Sequence, residues 1–435
     1  MSTRVHGRDS NLARGRGSTG AGSSKARSSG QASDKVKFDA AFVSLSLVPF
    51  VMVLGNSILI PVLPAIKSAL GVSPAMSGLV ITAFSVPAGI MIPFSGFLAD
   101  RYGRKAVMVP GLGLYALGGF VAAAAAILFQ AGAFPLLMVG RVMQGIGAAG
   151  TASIALALAG DLYAGPARDQ AMGVLEATNG FGKVVSPVLG AALGLAAWYA
   201  PFVFFAVLTV PVAIAVALLA KEARPPAQSS ARDYFGSVLQ VFSRKGAALG
   251  ASLLAGMTAL FLLFGTLFFL SETLESRFHL RGVLKGLVLA VPVLASSIAA
   301  YGSGTYLQKL VDRRFLVFGG LALITAALVS LALIQNPYYL YGAIFLIGVG
   351  SGTALATLNV LVTSSVKQER RGMITSDYGA VRFFGVALGP PLFGLLMGRG
   401  NLVLFLAAGG IGLVAAILAL VLIDQKSLMV TGRES

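Results

Sequence analysis

The stretch GFLADRYGRK, residues 96–105, places one carboxylate and three cations at the junction of two long apolar segments. These segments, residues 73–99 and 106–130, are each long enough to cross a membrane as a helix. Fixed charges between two such segments predict a short, water-facing connection between membrane-spanning helices. The rest of the chain repeats this alternation of long apolar segments and polar connections.

The composition is that of a membrane protein. Of the 435 residues, 56% are hydrophobic and only 11% are charged, whereas soluble proteins carry about 25% charged residues. The chain has no cysteine, which excludes disulfides, thiol catalysis and cysteine-bound metals. The glycine-rich GVGSG of residues 348–352 lacks the Lys-Ser/Thr that ends a phosphate-binding loop. We therefore expect a protein that is not an enzyme and that binds neither a cofactor nor a metal.

Twelve apolar segments are predicted to span the membrane as helices, in two sets of six. A polar connection with two consecutive prolines, residues 221–245, separates the sets. The predicted fold is an all-α membrane protein with two pseudo-symmetric six-helix bundles, residues 38–220 and 246–425. Residues 1–37 are predicted to be a disordered basic tail and residues 426–435 a second tail. The predicted spans are 39–66, 73–99, 106–130, 134–160, 169–195, 198–220, 247–271, 283–308, 314–335, 338–365, 372–397 and 401–424.

The Lys and Arg residues set the expected orientation. The net charge of +17 lies mainly in the tails and in the loops of one side, which the positive-inside rule assigns to the cytoplasm. Both termini are therefore predicted to be cytoplasmic, in a multi-pass protein of the inner (plasma) membrane. The expected partners are the lipid bilayer and a small-molecule substrate, with no nucleic acid, and the expected state is a monomer. Three cations fall well inside predicted spans, away from the span ends: Arg141, Lys183 and Arg382.

Three motifs carry a resemblance to a known family. They are the loop of residues 96–105, RVMQG at residues 141–145 in span 4, and GKVVSPVLGA at residues 182–191 in span 5. They resemble the loop 2–3, RxxQG and GxxxGPxxGG motifs of the major facilitator superfamily, and within it of the twelve-helix drug/proton antiporters. Ser186 and Ala191 replace two glycines of the third motif. The resemblance covers residues 38–425 and implies alternating access between two rocking bundles, with export in exchange for protons.

The loop 2–3 motif indicates an inner gate, a role that the family also assigns to this loop. Arg101 and Arg104 are expected to pair with Asp161 at the inner end of span 4, and Asp100 to cap a neighbouring helix. Such an ionic latch would break when the inner side opens. The alternative is that the loop only sets the orientation through its positive charge. The predicted gate residues are Gly96, Asp100, Arg101, Gly103, Arg104 and Asp161.

The resemblance implies that Arg141 takes part in proton coupling, and a charge deep inside a span usually marks function. The alternative is a structural role, with hydrogen bonds to carbonyl groups between spans 1 and 4. Many relatives carry an acid in span 1, where this chain has Asn56, which cannot titrate. Coupling would then pass through Glu176, Asp377 or Lys183. A capping or ion-pair role is the alternative for the two acids.

Span 5 carries a lysine among small residues. The resemblance implies that its antiporter motif seals the outer side between the halves. Lys183 is predicted to face the central cavity, and three roles stay open for it: binding an anionic group, exchanging a proton, or contacting Asn56 or a helix carbonyl. The motif residues are Gly182, Ser186, Pro187 and Gly190. The predicted substrate cavity consists of Asn56, Gln144, Lys183 and Arg382.

The predicted function is proton-coupled export of small amphiphilic compounds, of the multidrug type, by alternating access. A dedicated exporter or flippase of an anionic metabolite or lipid is the alternative, as are a facilitator without coupling and a membrane receptor that moves nothing. Well inside the spans, three cations stand against two carboxylates, Glu176 and Asp377, which favours anionic, zwitterionic or neutral cargo over lipophilic cations. Protons are the expected coupling ion.

Overall fold

The computed structural model describes residues 36, 38–222, 231–334, 336–366 and 371–428. Most of the predicted tails, residues 1–37 and 426–435, and part of the predicted linker, residues 221–245, lie outside these residues. Helices form nearly all of the described chain, and it contains no strand. The predicted all-α membrane fold is therefore confirmed.

The helices are α1 (Ala40–Ser57), α2 (Leu63–Leu70), α3 (Pro74–Tyr102), α4 (Arg104–Phe129), α5 (Phe134–Ala148), α6 (Thr151–Leu162), α7 (Gly165–Ala196), α8 (Ala200–Leu219), α9 (Ala231–Ser276), α10 (Gly282–Gly302), α11 (Gln308–Leu310), α12 (Arg313–Leu333), α13 (Pro337–Thr363), α14 (Arg371–Met397), α15 (Asn401–Leu422) and α16 (Gln425–Leu428). Short 3₁₀ turns lie at Ile60–Val62 and Gln130–Ala133, and a π-helical turn lies at Ser303–Leu307.

Eleven helical segments of the described chain are long and apolar enough to cross a membrane. They correspond to every predicted span except the fifth. The fifth span is α7, whose 32 residues are long enough but which is not among the eleven apolar segments. This helix carries Glu176 and Lys183. Twelve spans are consistent with the structure. The less apolar span is α7, which carries Lys183, the residue predicted to face the central cavity.

Two predicted spans are broken helices. In span 1, α1 ends at Ser57, and the chain passes through a 3₁₀ turn before α2 begins. Pro61 and Pro64 account for this break, because proline has no amide hydrogen to continue the helical ladder. Span 4 divides into α5 and α6 at Gly150, whose φ of +70° is a left-handed conformation that favours glycine.

The predicted polar linker contains helix. The long helix α9 begins at Ala231 and continues into span 7 through a kink at Lys245, where φ is −122° and ψ is 17°. The apolar, membrane-spanning part of this helix begins at Lys245, two residues before the predicted start of span 7 at residue 247. What the sequence marked as a polar connection is in part an extension of the first helix of the second half.

The two halves pack against each other along two helix pairs. In the first pair, α3 lies on α14, and Thr82 Oγ1 donates a hydrogen bond to Ala387 O at 2.6 Å. In the second pair, α7 lies on α10, and a side chain at Gly286 would meet the backbone oxygen of Pro187 at 2.7 Å. The absence of a side chain at Gly286 therefore lets the two backbones approach closely.

These contacts are concentrated toward one end of the molecule. We call this the closed end, and it is marked by the ion pair between Lys67 and Glu272. The opposite end carries the charged loop of residues 96–105, and we call it the motif end. From the closed end, the contacts between the halves continue as far as Ile92 and Ala380. At the closed end the two halves are therefore in direct contact.

Candidate functional site

Arg141 is fully buried in the first half of the chain, where α5 carries it. Its Nε donates to Val80 O at 3.0 Å, and one terminal nitrogen donates to Gln144 Oε1 at 2.8 Å. The other terminal nitrogen donates to Gly55 O at 2.9 Å and to Asn56 Oδ1 at 3.1 Å. Because the planar guanidinium needs its acceptors at fixed positions, Arg141 sets the spacing of α1, α3 and α5.

The break in span 1 supplies one of these acceptors. Leu59 N donates to Asn56 O, so Gly55 O is left without the donor that a continuous helix would provide four residues later. Arg141 donates to Gly55 O in its place. The buried cation and the end of α1 therefore satisfy each other.

The positive charge of Arg141 is stabilised by carbonyl and amide oxygens and by aromatic rings rather than by a carboxylate. No Asp or Glu forms an ion pair with it in the described part of the chain. Its guanidinium carbon lies 4.6 Å from the ring centre of Phe84 and 6.0 Å from that of Phe205, close enough for cation–π attraction. Asn56 is held in turn, because its Nδ2 donates to Ser85 Oγ at 2.8 Å. This is the structural network considered for Arg141, and its part in proton coupling stays a prediction.

The predicted substrate cavity divides into two groups. Asn56 and Gln144 are buried beside Arg141, whereas Lys183 is exposed and Arg382 is half-buried. Lys183 does not contact Asn56, whose side chain is engaged in the network around Arg141. The sequence motifs could not separate the groups, because they do not fix the rotation of each helix about its axis.

Lys183 and Arg382 belong to different halves of the protein and are close enough for their charges to interact. Lys183 lies on α7 of the first half, within electrostatic range of Arg382 on α14 of the second half and of Glu176 on its own helix. The Arg382 guanidinium lies 5.1 Å from the ring centre of Tyr378. Within the described residues, neither cation belongs to an ion pair. Two like charges that share one space repel each other unless an anion or water screens them.

The two acids predicted for proton coupling have different surroundings. Glu176 is exposed on α7 and lies about 10 Å along the helix axis from Lys183. Asp377 is half-buried on α14, and its Oδ2 is buried with no hydrogen-bond partner in the described structure. A buried polar oxygen without a donor is unfavourable. Asp377 is therefore the less well satisfied of the two acids in this structure.

The small residues of the α7 motif lie against the first half and the closed end. A side chain at Gly182 would meet Phe50 at 3.0 Å, and one at Gly190 would collide with Ile58 O. Ser186 is buried, and its Oγ has no partner among the described residues. With Pro187 packed on α10, the motif lies at the contact between the halves. The sealing role that the resemblance implies stays a prediction.

Arg104 is the centre of the charge cluster at the motif end. Its terminal nitrogen lies 2.8 Å from Asp100 Oδ1, and its Nε donates to Asp161 Oδ2 at 3.1 Å. The expected pairing of Arg104 with Asp161 is therefore present. Arg101 instead lies over the ring of Tyr102, at 5.6 Å from its centre. All these partners belong to the first half, and the gating role stays a prediction.

Glu222, which the sequence analysis missed, caps the start of α4. Its carboxylate accepts hydrogen bonds from Arg104 N and Lys105 N, both at 2.9 Å. Gly103, with φ of +110°, makes the sharp turn from α3 to α4. Asp100 was expected to cap a neighbouring helix, but it pairs with the Arg104 side chain. The sequence did carry a signal for this contact: Glu222 closely follows span 6, on the same side of the membrane as the charged loop of residues 96–105.

We expect Arg141→Lys to lower the thermal unfolding midpoint of the detergent-purified protein clearly. A lysine ammonium cannot reach four acceptors arranged for a planar guanidinium, and each buried acceptor left unpaired costs about 1–3 kcal/mol. Arg101→Lys, at an exposed position, is the matched control and should leave the midpoint unchanged. An equal midpoint for both variants would show that the network does not hold the helices.

We expect Asn56→Asp to raise the unfolding midpoint at about pH 7, because it places a carboxylate against Arg141, and charge-assisted bonds are stronger. The gain should persist down to about pH 4 and disappear below it, where the paired carboxylate takes up its proton. Wild-type protein measured over the same pH series is the control. A midpoint below that of the wild type at every pH would contradict the view that Arg141 has no anionic partner.

Known proteins resemble this chain over most of its length. The sequence profile of the Major Facilitator Superfamily matches residues 45–390 and 312–428. The "Bacillibactin exporter" of Bacillus subtilis (strain 168) is 38% identical over 388 residues, which cover 88% of this chain and 96% of that protein. The "Multidrug efflux protein YfmO" of the same strain is 27% identical over 354 residues, or 79% of this chain and 83% of that protein.

A solved structure of a D-xylose-proton symporter shares the fold, with a TM-score of 0.73 and 12% identity, over 89% of this chain and 98% of that one. The matches extend over both six-helix halves, and the named relatives move compounds across membranes. The chain therefore belongs to the major facilitator superfamily and is a transporter rather than an enzyme.

Proposed function

We propose that this transporter exports a small anionic compound, which Lys183 and Arg382 bind in the space between the halves. One observation carries the proposal. These two cations, one from each half, lie within electrostatic range of each other, and neither forms an ion pair with a described residue. An anion between them removes their repulsion and gives both a partner. A lipophilic cation would add a third like charge.

The similarity to a bacillibactin exporter supports export as the direction of transport and makes bacillibactin the first compound to test. The similarity to a multidrug efflux protein is weaker in identity and coverage. A dedicated exporter of an anionic compound is therefore favoured over the multidrug efflux that the family motifs alone suggested.

We propose that the motif end faces the cytoplasm, in the inner (plasma) membrane, with both termini on the same side. The positive charges of the loops support this orientation. The closed end then blocks the path to the outside, and exposed Lys183 is reached from the cytoplasm. In this state the transporter would load its substrate.

Protons are proposed to drive export, with Glu176 and Asp377 as the acids that bind them. Asn56 cannot take the role of an acid, and it is already bonded to Arg141. Both acids lie on helices that carry a cation of the proposed binding pair, α7 and α14. A proton on either acid changes the net charge near the substrate, which links protonation to anion binding.

We expect Lys183→Ala to reduce the release of bacillibactin from loaded proteoliposomes by about tenfold or more, because one charge of the binding pair is lost. Lys183→Arg keeps the charge and should retain much of the activity. Transport of a neutral amphiphile serves as the internal control and should change little. Equal losses for anionic and neutral compounds would contradict anion binding by Lys183, and transport of lipophilic cations alone would favour the multidrug reading.

We expect Asp377→Asn to abolish accumulation driven by a pH gradient while leaving exchange of labelled for unlabelled substrate at equal pH. A residue that carries the coupling proton is needed for the first process and not for the second. Glu176→Gln, tested in parallel, shows which of the two acids has this role. Gradient-driven accumulation that persists in the double variant would exclude both.

A further inference from the structure

Two lysine–glutamate pairs lie at the closed end, away from Lys183 and Arg382 and outside the three family motifs. Lys67 on α2 forms an ion pair with Glu272 on α9. Lys285 on α10 lies 2.7 Å from Glu275 on α9. Glu272 and Lys285 are 4% and 2% exposed, which places these charges inside the protein rather than on its surface.

Two hydrogen bonds join the halves beside the pair of Lys67 with Glu272. Lys285 Nζ donates to Pro61 O at 2.7 Å, and Ser271 Oγ donates to Ile60 O at 2.8 Å. Both acceptors belong to the break in span 1. Pro64 stands where a continuous helix would supply the donor for Ile60 O, and proline has none. The break therefore presents backbone oxygens of the first half to donors of the second half.

The pairs are neutral in sum, because the four side chains supply two positive and two negative charges. A buried ion pair adds little net stability over apolar packing, but removal of one partner leaves an uncompensated charge and is strongly unfavourable. The pair of Lys67 with Glu272 uses only one carboxylate oxygen, since Glu272 Oε1 has no partner among the described residues. Such a contact can separate and exchange its partner for water.

We propose that Lys67, Glu272 and Lys285 form an ionic lock that holds the closed end shut and dissociates when this end opens. The inference rests on the proposed function, because alternating access requires the halves to part at this end. The bonds of Lys67 to Glu272 and of Lys285 to Pro61 join residues 205 and 224 positions apart, in different halves. They cannot persist when the halves separate.

The chain contains no cysteine, so a single introduced cysteine can report on the state of the closed end. Ala191→Cys is the reporter, because Ala191 is 5% exposed and its Cβ lies 3.0 Å from the position a side chain would take at Gly286, across the contact between the halves. Ala122→Cys is the matched control. Ala122 is also buried, but it packs against Gly140 within the first half.

Each reporter is combined with Lys67→Ala, with Glu272→Ala, and with the exchanged pair Lys67→Glu and Glu272→Lys. The measured quantity is the rate of reaction with a water-soluble maleimide in lipid nanodiscs, where both ends of the protein are accessible. The assay needs no substrate. Its result therefore stands independently of whether the exported compound is an anion.

We expect each single substitution to raise the labelling rate at residue 191 by roughly tenfold or more, because the uncompensated buried charge favours the open state. The rate at residue 122 should stay at the wild-type value, and the exchanged pair should restore the slow rate at residue 191. An unchanged rate at residue 191 in the single variants overturns the lock. A parallel rise at both reporters also overturns the lock, because the ion pair would then stabilise the packing of the whole protein rather than the closed end. Failure of the exchanged pair to restore the slow rate at residue 191 overturns it as well.

Discussion

A positive charge in the hydrocarbon layer must find its partners within the protein, because no water is available there. Arg141 meets this constraint with acceptors from three helices: Gly55 O on α1, Val80 O on α3 and Gln144 on its own helix α5. The acceptor on α1 is available because the helical ladder of span 1 fails at that point. The same break leaves Ile60 O and Pro61 O to bind side chains of the second half. The interior of the first half and its contact with the second half thus depend on one irregular segment.

Arg141, Lys183 and Arg382 differ in how well their charges are satisfied, and this difference distinguishes a structural cation from candidate functional ones. Arg141 is fully buried and has four hydrogen bonds and two aromatic rings around it. Lys183 is exposed, and its nearest charged groups include another cation, Arg382. A protein gains nothing in stability from two neighbouring unpaired cations, since like charges repel. Their arrangement is understandable when the missing partner is a compound that arrives and leaves.

The sequence predicted what depends on local composition and failed where distant residues determine the outcome. Long apolar segments located the helices, and the dense charge of the loop 2–3 motif predicted the pair of Arg104 with Asp161. The break in span 1 was signalled by Pro61 and Pro64 but not inferred. The pair of Lys67 with Glu272 could not be foreseen, because its members are 205 positions apart and no motif links them. For the same reason the burial of Asn56 beside Arg141 emerged only from the hydrogen bond that joins these residues of α1 and α5.

The charges at the motif end, around Lys183 and at the closed end form three groups, and under the proposed function their balance orders the steps of transport. The motif end has the carboxylates of Asp100, Asp161 and Glu222 beside Arg101, Arg104 and Lys105, and the closed end has two lysines and two glutamates. The side chains named in each cluster balance in charge, so separation of either cluster leaves no excess charge among its own members. The central pair, Lys183 with Arg382, resists close approach of the two halves while it is empty. Under the proposed function, an anion that entered from the motif end would remove this repulsion and let the halves come together behind it. Separation at the closed end would then expose no continuous path across the membrane.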